Sequence, residues 1–224
     1  MDWSGEWWVL ILGPGLVILV VGILYFTRSR AFMFRSAAAQ LGLIALQGLN
    51  PISEEEKKGL SLFSAGSNGK MTNLFGDRVD SPSRLLFDFA YSSGQPAPPS
   101  VWCRQTVAAF KAPLTGIPDF QMTPADALKS PAPKPGPQPI RFDSHSDFGR
   151  RYSLRADNET AVRAFFSSSF LDRLTAFDPE ADWSVEKSGR WLIVYRHNVQ
   201  FPPKAIAETW PHAQELASLF LEPH

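Results

Sequence analysis

The sequence predicts an α+β protein: an N-terminal transmembrane helix followed by two antiparallel-sheet lobes packed with helices. Three observations carry this. Residues 7–26 form an apolar run without a charged residue; after residue 60 the apolar period changes from helical to alternating; and a proline-rich stretch divides the rest of the chain.

The leader of residues 1–6, "MDWSGE", holds two acids and no Lys or Arg, unlike the basic start of a cleaved secretory signal. About 20 apolar residues at 1.5 Å rise cover the roughly 30 Å of bilayer hydrocarbon, so residues 7–26 are expected to stay as an anchor. Trp7 and Trp8 at one end and Tyr25 at the other suit the membrane interface, and Pro14 inside the run predicts a bend. Arg28, Arg30 and Arg35 all follow the run, which predicts the first six residues outside and the rest in the cytoplasm. The expected location is the plasma membrane, single-pass, with the lipid bilayer as one partner. With Phe32 and Phe34 interleaved, the same arginines could also sense an anionic lipid surface.

Residues 27–50 keep strong helix formers until Gly48 and Pro51, predicting a helical stalk. "ISEEEKKG" reads as a short capped helix, with Ser53 and Glu56 as a capping box and Gly59 closing it. "MTNLFGDRV", "SRLLFDFAYSS", "SVWCRQTVAAF" and "PDFQMTP" alternate and are parted by turn residues, so residues 51–124 are expected to form an α+β lobe with a β-meander. In "LLFDFAY", Leu85, Phe87, Phe89 and Tyr91 share the face expected to be the core, opposite Leu86, Asp88 and Ala90. Residues 125–139 form the Pro-rich linker.

Residues 140–224 make the second α+β lobe. It opens with strand character, Asp157 then caps a helix carrying Val162, Phe165, Phe166 and Leu174, and a hairpin turns across Lys187-Ser188-Gly189. A last helix carries Ile206, Trp210, Ala213, Ala217 and Phe220 at helical spacing, with Pro211 expected to kink or restart it.

Composition narrows the function. The formal net charge is zero, from 22 basic and 22 acidic residues, which argues against a nucleic-acid partner. The single Cys103 suits a reducing compartment. "SAGSNGK" matches neither a hydrolase elbow nor a phosphate-binding loop; Ala65 stands where the elbow needs glycine, and Ser64 and Met71 break the loop pattern, so Asn68-Gly69 is expected to be a hairpin turn. Asp143, His145 and Asp147 alternate and would share a face of a strand, but no second ligand cluster accompanies them, and no metal or cofactor is expected. Trp102, Trp183, Trp191 and Trp210 are expected mainly in the core; one left exposed on a sheet edge would mark a partner site.

Leu62-Phe63, Gly66 and Asn68, Phe87-Asp88-Phe89-Ala90-Tyr91, Gln105-Thr106-Val107 and Ile117-Pro118-Asp119-Phe120 occur in an order that resembles a family of bacterial single-span membrane proteins, a domain of unknown function. The resemblance implies the architecture and a bacterial plasma membrane, and no activity. The functional expectation is therefore a membrane-anchored cytoplasmic protein-binding or scaffold module with a protein partner. The alternative is a tethered hydrolase or other enzyme whose site is assembled from distant residues, Asp88, Cys103, Asp143 and His145 first among them.

Overall fold

The computed structural model describes residues 30–93, 101–126, 137–177 and 182–222, together with residues 16, 19, 21, 22 and 25. Eight strands form one antiparallel sheet: β1 Ile44–Ala45, β2 Ser67–Gly76, β3 Arg84–Ser93, β4 Val101–Lys111, β5 Phe120–Pro124, β6 Tyr152–Arg155, β7 Trp183–Ser188 and β8 Trp191–Arg196. Their order across the sheet is β1-β2-β3-β4-β8-β7-β5-β6. The segments 51–124 and 140–224, separate lobes in the sequence reading, thus share a sheet: β4 pairs with β8, and β5 lies between β6 and β7. The helices are α1 (residues 30–40), α2 Glu54–Gly59, α3 Ser61–Ser64, α4 Ser146–Arg151, α5 Glu159–Phe165, α6 Ser168–Phe177 and α7 Ile206–Leu221.

The transmembrane helix expected over residues 7–26 is not borne out. Among the described residues no helix is long and apolar enough to cross a membrane. Leu16, Leu19, Val21, Gly22 and Tyr25 are helical; Trp7, Trp8, Pro14 and Arg28 lie outside the described residues. The single-pass plasma-membrane location, which rested on that span, falls with it. The helical stalk is corrected too, and for a physical reason: α1 is amphipathic, burying Phe34, Ala37 and Ala38 in the protein core while Arg35 and Gln40 face outward. The chain turns at Gly42, whose φ of +71° is the left-handed conformation that glycine takes without strain, and re-enters the sheet as β1.

Both sheet faces are covered. One carries Leu86, Phe110, Met122, Leu154, Leu192 and Val194 beneath α1 and α4–α7. The other carries Leu85, Phe87, Phe89, Tyr91, Ile193 and Tyr195 beneath α3 with Leu60 before it and the segment around Ile52. The core therefore lies on both sides of β3, where alternation alone suggested one. Ser53 and Glu56 do form the capping box of α2. Other local expectations shift. Asn68-Gly69 lies inside β2, where the register with β3 jumps between Ser67 and Lys70, so the pair makes a bulge in place of a hairpin turn. Asn158 caps α5, accepting from the Ala161 N–H, where Asp157 was expected. The stretch around Asp143, read as strand, is a 3-10 turn leading into α4. Pro211 sits inside α7 without restarting it.

Candidate functional site

Asp88 is a buried acid with both oxygens hydrogen-bonded, and the fold explains why. β3 pairs Asp88 with Thr106 of β4, and a second bulge in β2, with Asn73 at φ +50°, turns the Asn73 amide toward the same point. Thr106 Oγ1 donates to Asp88 Oδ1 at 2.8 Å and Asn73 Nδ2 to Oδ2 at 2.9 Å. Arg30 reaches down from α1 and donates to both oxygens, at 3.1 and 3.0 Å, and to the Phe201 carbonyl at 3.1 Å. The Phe201 N–H in turn donates to Thr106 Oγ1 at 3.0 Å. Asp88 is 2% exposed, so both oxygens are committed inside the protein. An acid held this way clamps α1 and the chain after β8 to the sheet, and has no free lone pair for a substrate proton. Arg30, expected to set membrane orientation, is the cationic half of that clamp.

The residues named with Asp88 for an assembled enzyme site lie apart. Cys103 is buried on the opposite sheet face beside Tyr91, whose hydroxyl is pushed up first by burial and then by Cys103. Asp143 opens the 3-10 turn that leads into α4. His145 contacts Ser144 Oγ through Nδ1 at 2.9 Å and Asp172 through Nε2 at 3.3 Å, but Asp172 is three-quarters exposed, and water competes for that pair. Asp147 is paired with Arg150. Among the described residues, no group of three or more His, Cys, Asp or Glu could hold a metal ion.

A buried acid that sequence reading missed is Glu186 of β7. Its Oε1 accepts from Ser61 Oγ at 2.8 Å and from Tyr195 Oη at 2.6 Å, and its Oε2 from the Leu62 N–H at 3.2 Å, so it caps the start of α3. Burial pushes its pKa up against the opposing effect of these donors. Nothing in "SVEKS" distinguishes this glutamate from an exposed one; only the docking of α3 on β7 does.

The exposed chemistry gathers where the sheet outruns its cover. β8 pairs with β4 only from Val107 to Lys111, so residues 101–106 extend past it. The register sets Lys70, Ala90 and Arg104 in one row across β2, β3 and β4, on the same face as Asp88, with Trp102 opposite Ser92 in the next row. Trp102 is 45% exposed, whereas Trp183, Trp191 and Trp210 are buried. Lys70 and Arg104 are exposed, and among the described residues neither side chain has an ion-pair or hydrogen-bond partner. Beside this platform, sharing Thr72 with its β2 edge, an open groove of about 520 Å³ separates α1 from β1 and β2, with Phe32 and Arg35 on one wall and Leu49 and Met71 on the other.

Fold and site together define a single-sheet α+β domain with a buried ionic clamp and an exposed basic and aromatic sheet end. No known family profile matches the chain, and no curated protein is similar to it in sequence. Among solved structures, the fold is similar to that of the mycobacterial trehalose monomycolate transport factor A, TtfA, with a TM-score of 0.54 over 86% of this chain and 93% of that one. The two share 14% sequence identity, a likeness of fold alone.

Proposed function

We propose that the chain is a protein-binding module whose contact surface is the sheet end carrying Lys70, Trp102 and Arg104. The observation that carries this is Trp102, the exposed one of the four described tryptophans, set beside an unpaired arginine. Tryptophan and arginine are among the side chains that most often dominate binding energy, tryptophan because it buries much area while ordering two torsions, arginine because its planar guanidinium offers five donors. An exposed tryptophan held on a rigid strand keeps that area available at little entropic cost. The assembled-enzyme alternative draws no support from its four residues, which share neither a pocket nor a sheet face. The fold neighbour's role as a transport factor belongs to that protein.

A photo-crosslinking amino acid substituted at Trp102, in cells that express the chain natively, tests this. A discrete adduct from position 102, absent from a control at exposed Arg173 on α6, is the expected result. No adduct at 102, or the same adducts from both positions, sinks the proposal.

A further inference from the structure

We infer that the partner segment taken by this surface is acidic, with carboxylates on Lys70 and Arg104 and an apolar side chain against Trp102. This rests on the binding reading above and adds its chemistry. Lys70 and Arg104 stand on strands two sheet spacings apart, about 10 Å, with the small Ala90 between them, so the row is a shallow saddle with a cation on each rim. The acid next along the same face, Asp88, is already neutralised by Arg30, so it does not cancel these charges. Arg35, in the adjoining groove, is a third exposed cation with no ion-pair partner among the described residues. Lys70 and Arg104 on the platform and Arg35 in the groove beside it thus form a local positive field on a chain whose formal net charge is zero. Complementary charge steers encounter and rejects partners of the wrong sign, while the tryptophan supplies area.

The same cations do not favour a nucleic acid. Tracking a phosphate backbone takes a longer basic stripe, since each released counterion needs its own cation, and one exposed tryptophan stacks one base at most. A carboxylate pair needs only the two rims.

The full chain can be titrated into a fluorescein-labelled peptide of alternating Glu and Ser ending in Phe, read by anisotropy. Parallel titrations use the Gln and Lys versions of the peptide and single-stranded oligothymidylate. The Glu peptide is expected to bind and the Gln and Lys peptides to bind at least tenfold more weakly. Raising salt from about 50 to about 300 mM should weaken the Glu peptide several-fold. Lys70→Glu with Arg104→Glu should abolish binding at an unchanged melting temperature, while Arg173→Glu leaves it intact. Equal binding of the Gln peptide, indifference to the double reversal, tighter binding of the oligonucleotide, or no binding of the Glu peptide would each overturn the inference. Should the Glu peptide fail while crosslinks still form at position 102, the acidic chemistry falls and the binding module stands; absence of those crosslinks removes both.

Discussion

Glu186→Gln separates a buried neutral acid from a buried charged one. Burial raises the folded-state pKa of Glu186 above its ordinary 4.5, against the donors Tyr195, Ser61 and Leu62. The folded state therefore holds a proton that the unfolded chain releases. The stability this group contributes is complete below pH 4.5 and is lost as pH rises through the folded pKa. Within that window the loss is about 1.4 kcal/mol per pH unit for one proton. Glutamine carries no proton to lose. Its amide oxygen can take the Leu62 N–H, and its amide N–H can donate to the Tyr195 or Ser61 hydroxyl, each of which can rotate. The two proteins should thus agree to within about 1 kcal/mol below pH 4.5, one exchanged hydrogen bond being the main difference. Above it the variant should gain on the parent with that slope and then level off. His197, whose pKa burial lowers from 6.5, has the opposite sign: its contribution is present above 6.5 and lost as pH falls. It is common to both proteins and cancels in their difference. Urea unfolding of each, followed by tryptophan fluorescence from pH 4 to 8, gives the difference curve. A difference that stays flat across the range would refute the reasoning, because Glu186 would then titrate alike in both states.

The Asp88 clamp predicts non-additivity. Arg30→Met leaves a buried carboxylate with Asn73 and Thr106 alone and should cost about 3 kcal/mol, whereas the double variant Arg30→Met with Asp88→Leu should cost less than that single change; additive losses in denaturant unfolding would mean the pair is not coupled. At Gly66 an added Cβ would lie 2.3 Å from the Ser92 carbonyl oxygen and 2.6 Å from the Tyr91 ring, so Gly66→Ala should cost about 1–3 kcal/mol. In α4 a Cβ at Gly149 meets nothing within 4 Å, and Gly149→Ala should stabilise by about 0.5–1 kcal/mol. Equal melting temperatures for the two alanine variants would contradict this account of the Gly66 contact.

What was legible in the sequence was local. The hairpin of β7 and β8, the β2-β3-β4 meander and the capping box of α2 each join residues close along the chain, and alternation or cap chemistry marks them. The pairings of β4 with β8 and of β5 with β7 join residues more than 60 positions apart, and no local pattern encodes them. With β3 an internal strand of an eight-stranded sheet covered on both faces, Asp88 is a buried clamp where alternation suggested the weaker face. Arg30 was read with the arginines at the end of an apolar run because its partner lies 58 residues away. Asn68-Gly69 carries the chemistry of a hairpin turn, yet positive φ serves a bulge equally well, and the continuation of β3 opposite β2 decided for the bulge.

The binding surface follows from those same long-range pairings. β4 is 11 residues long but β8 is 6, and five pairs between them leave the first part of β4 without a strand beyond it. There the side-chain bonds change character: Asp88 and Thr106 lie in the last row closed by α1, and Ala90 and Arg104 in the first row past it. The chain after β8 still meets β4 here, Asn198 Oδ1 accepting from the Arg104 N–H and the Val199 carbonyl from the Thr106 N–H, and Trp102 lies one row further out. Trp102 thus lies past the last pair of β4 with β8, and strand-forming residues that carry β8 on to Gln200, opposite Trp102 by the same register, should lower access of acrylamide to Trp102 while leaving the buried Trp183, Trp191 and Trp210 unaffected. Unchanged quenching in such a variant would place the cover of this surface elsewhere than at the end of β8.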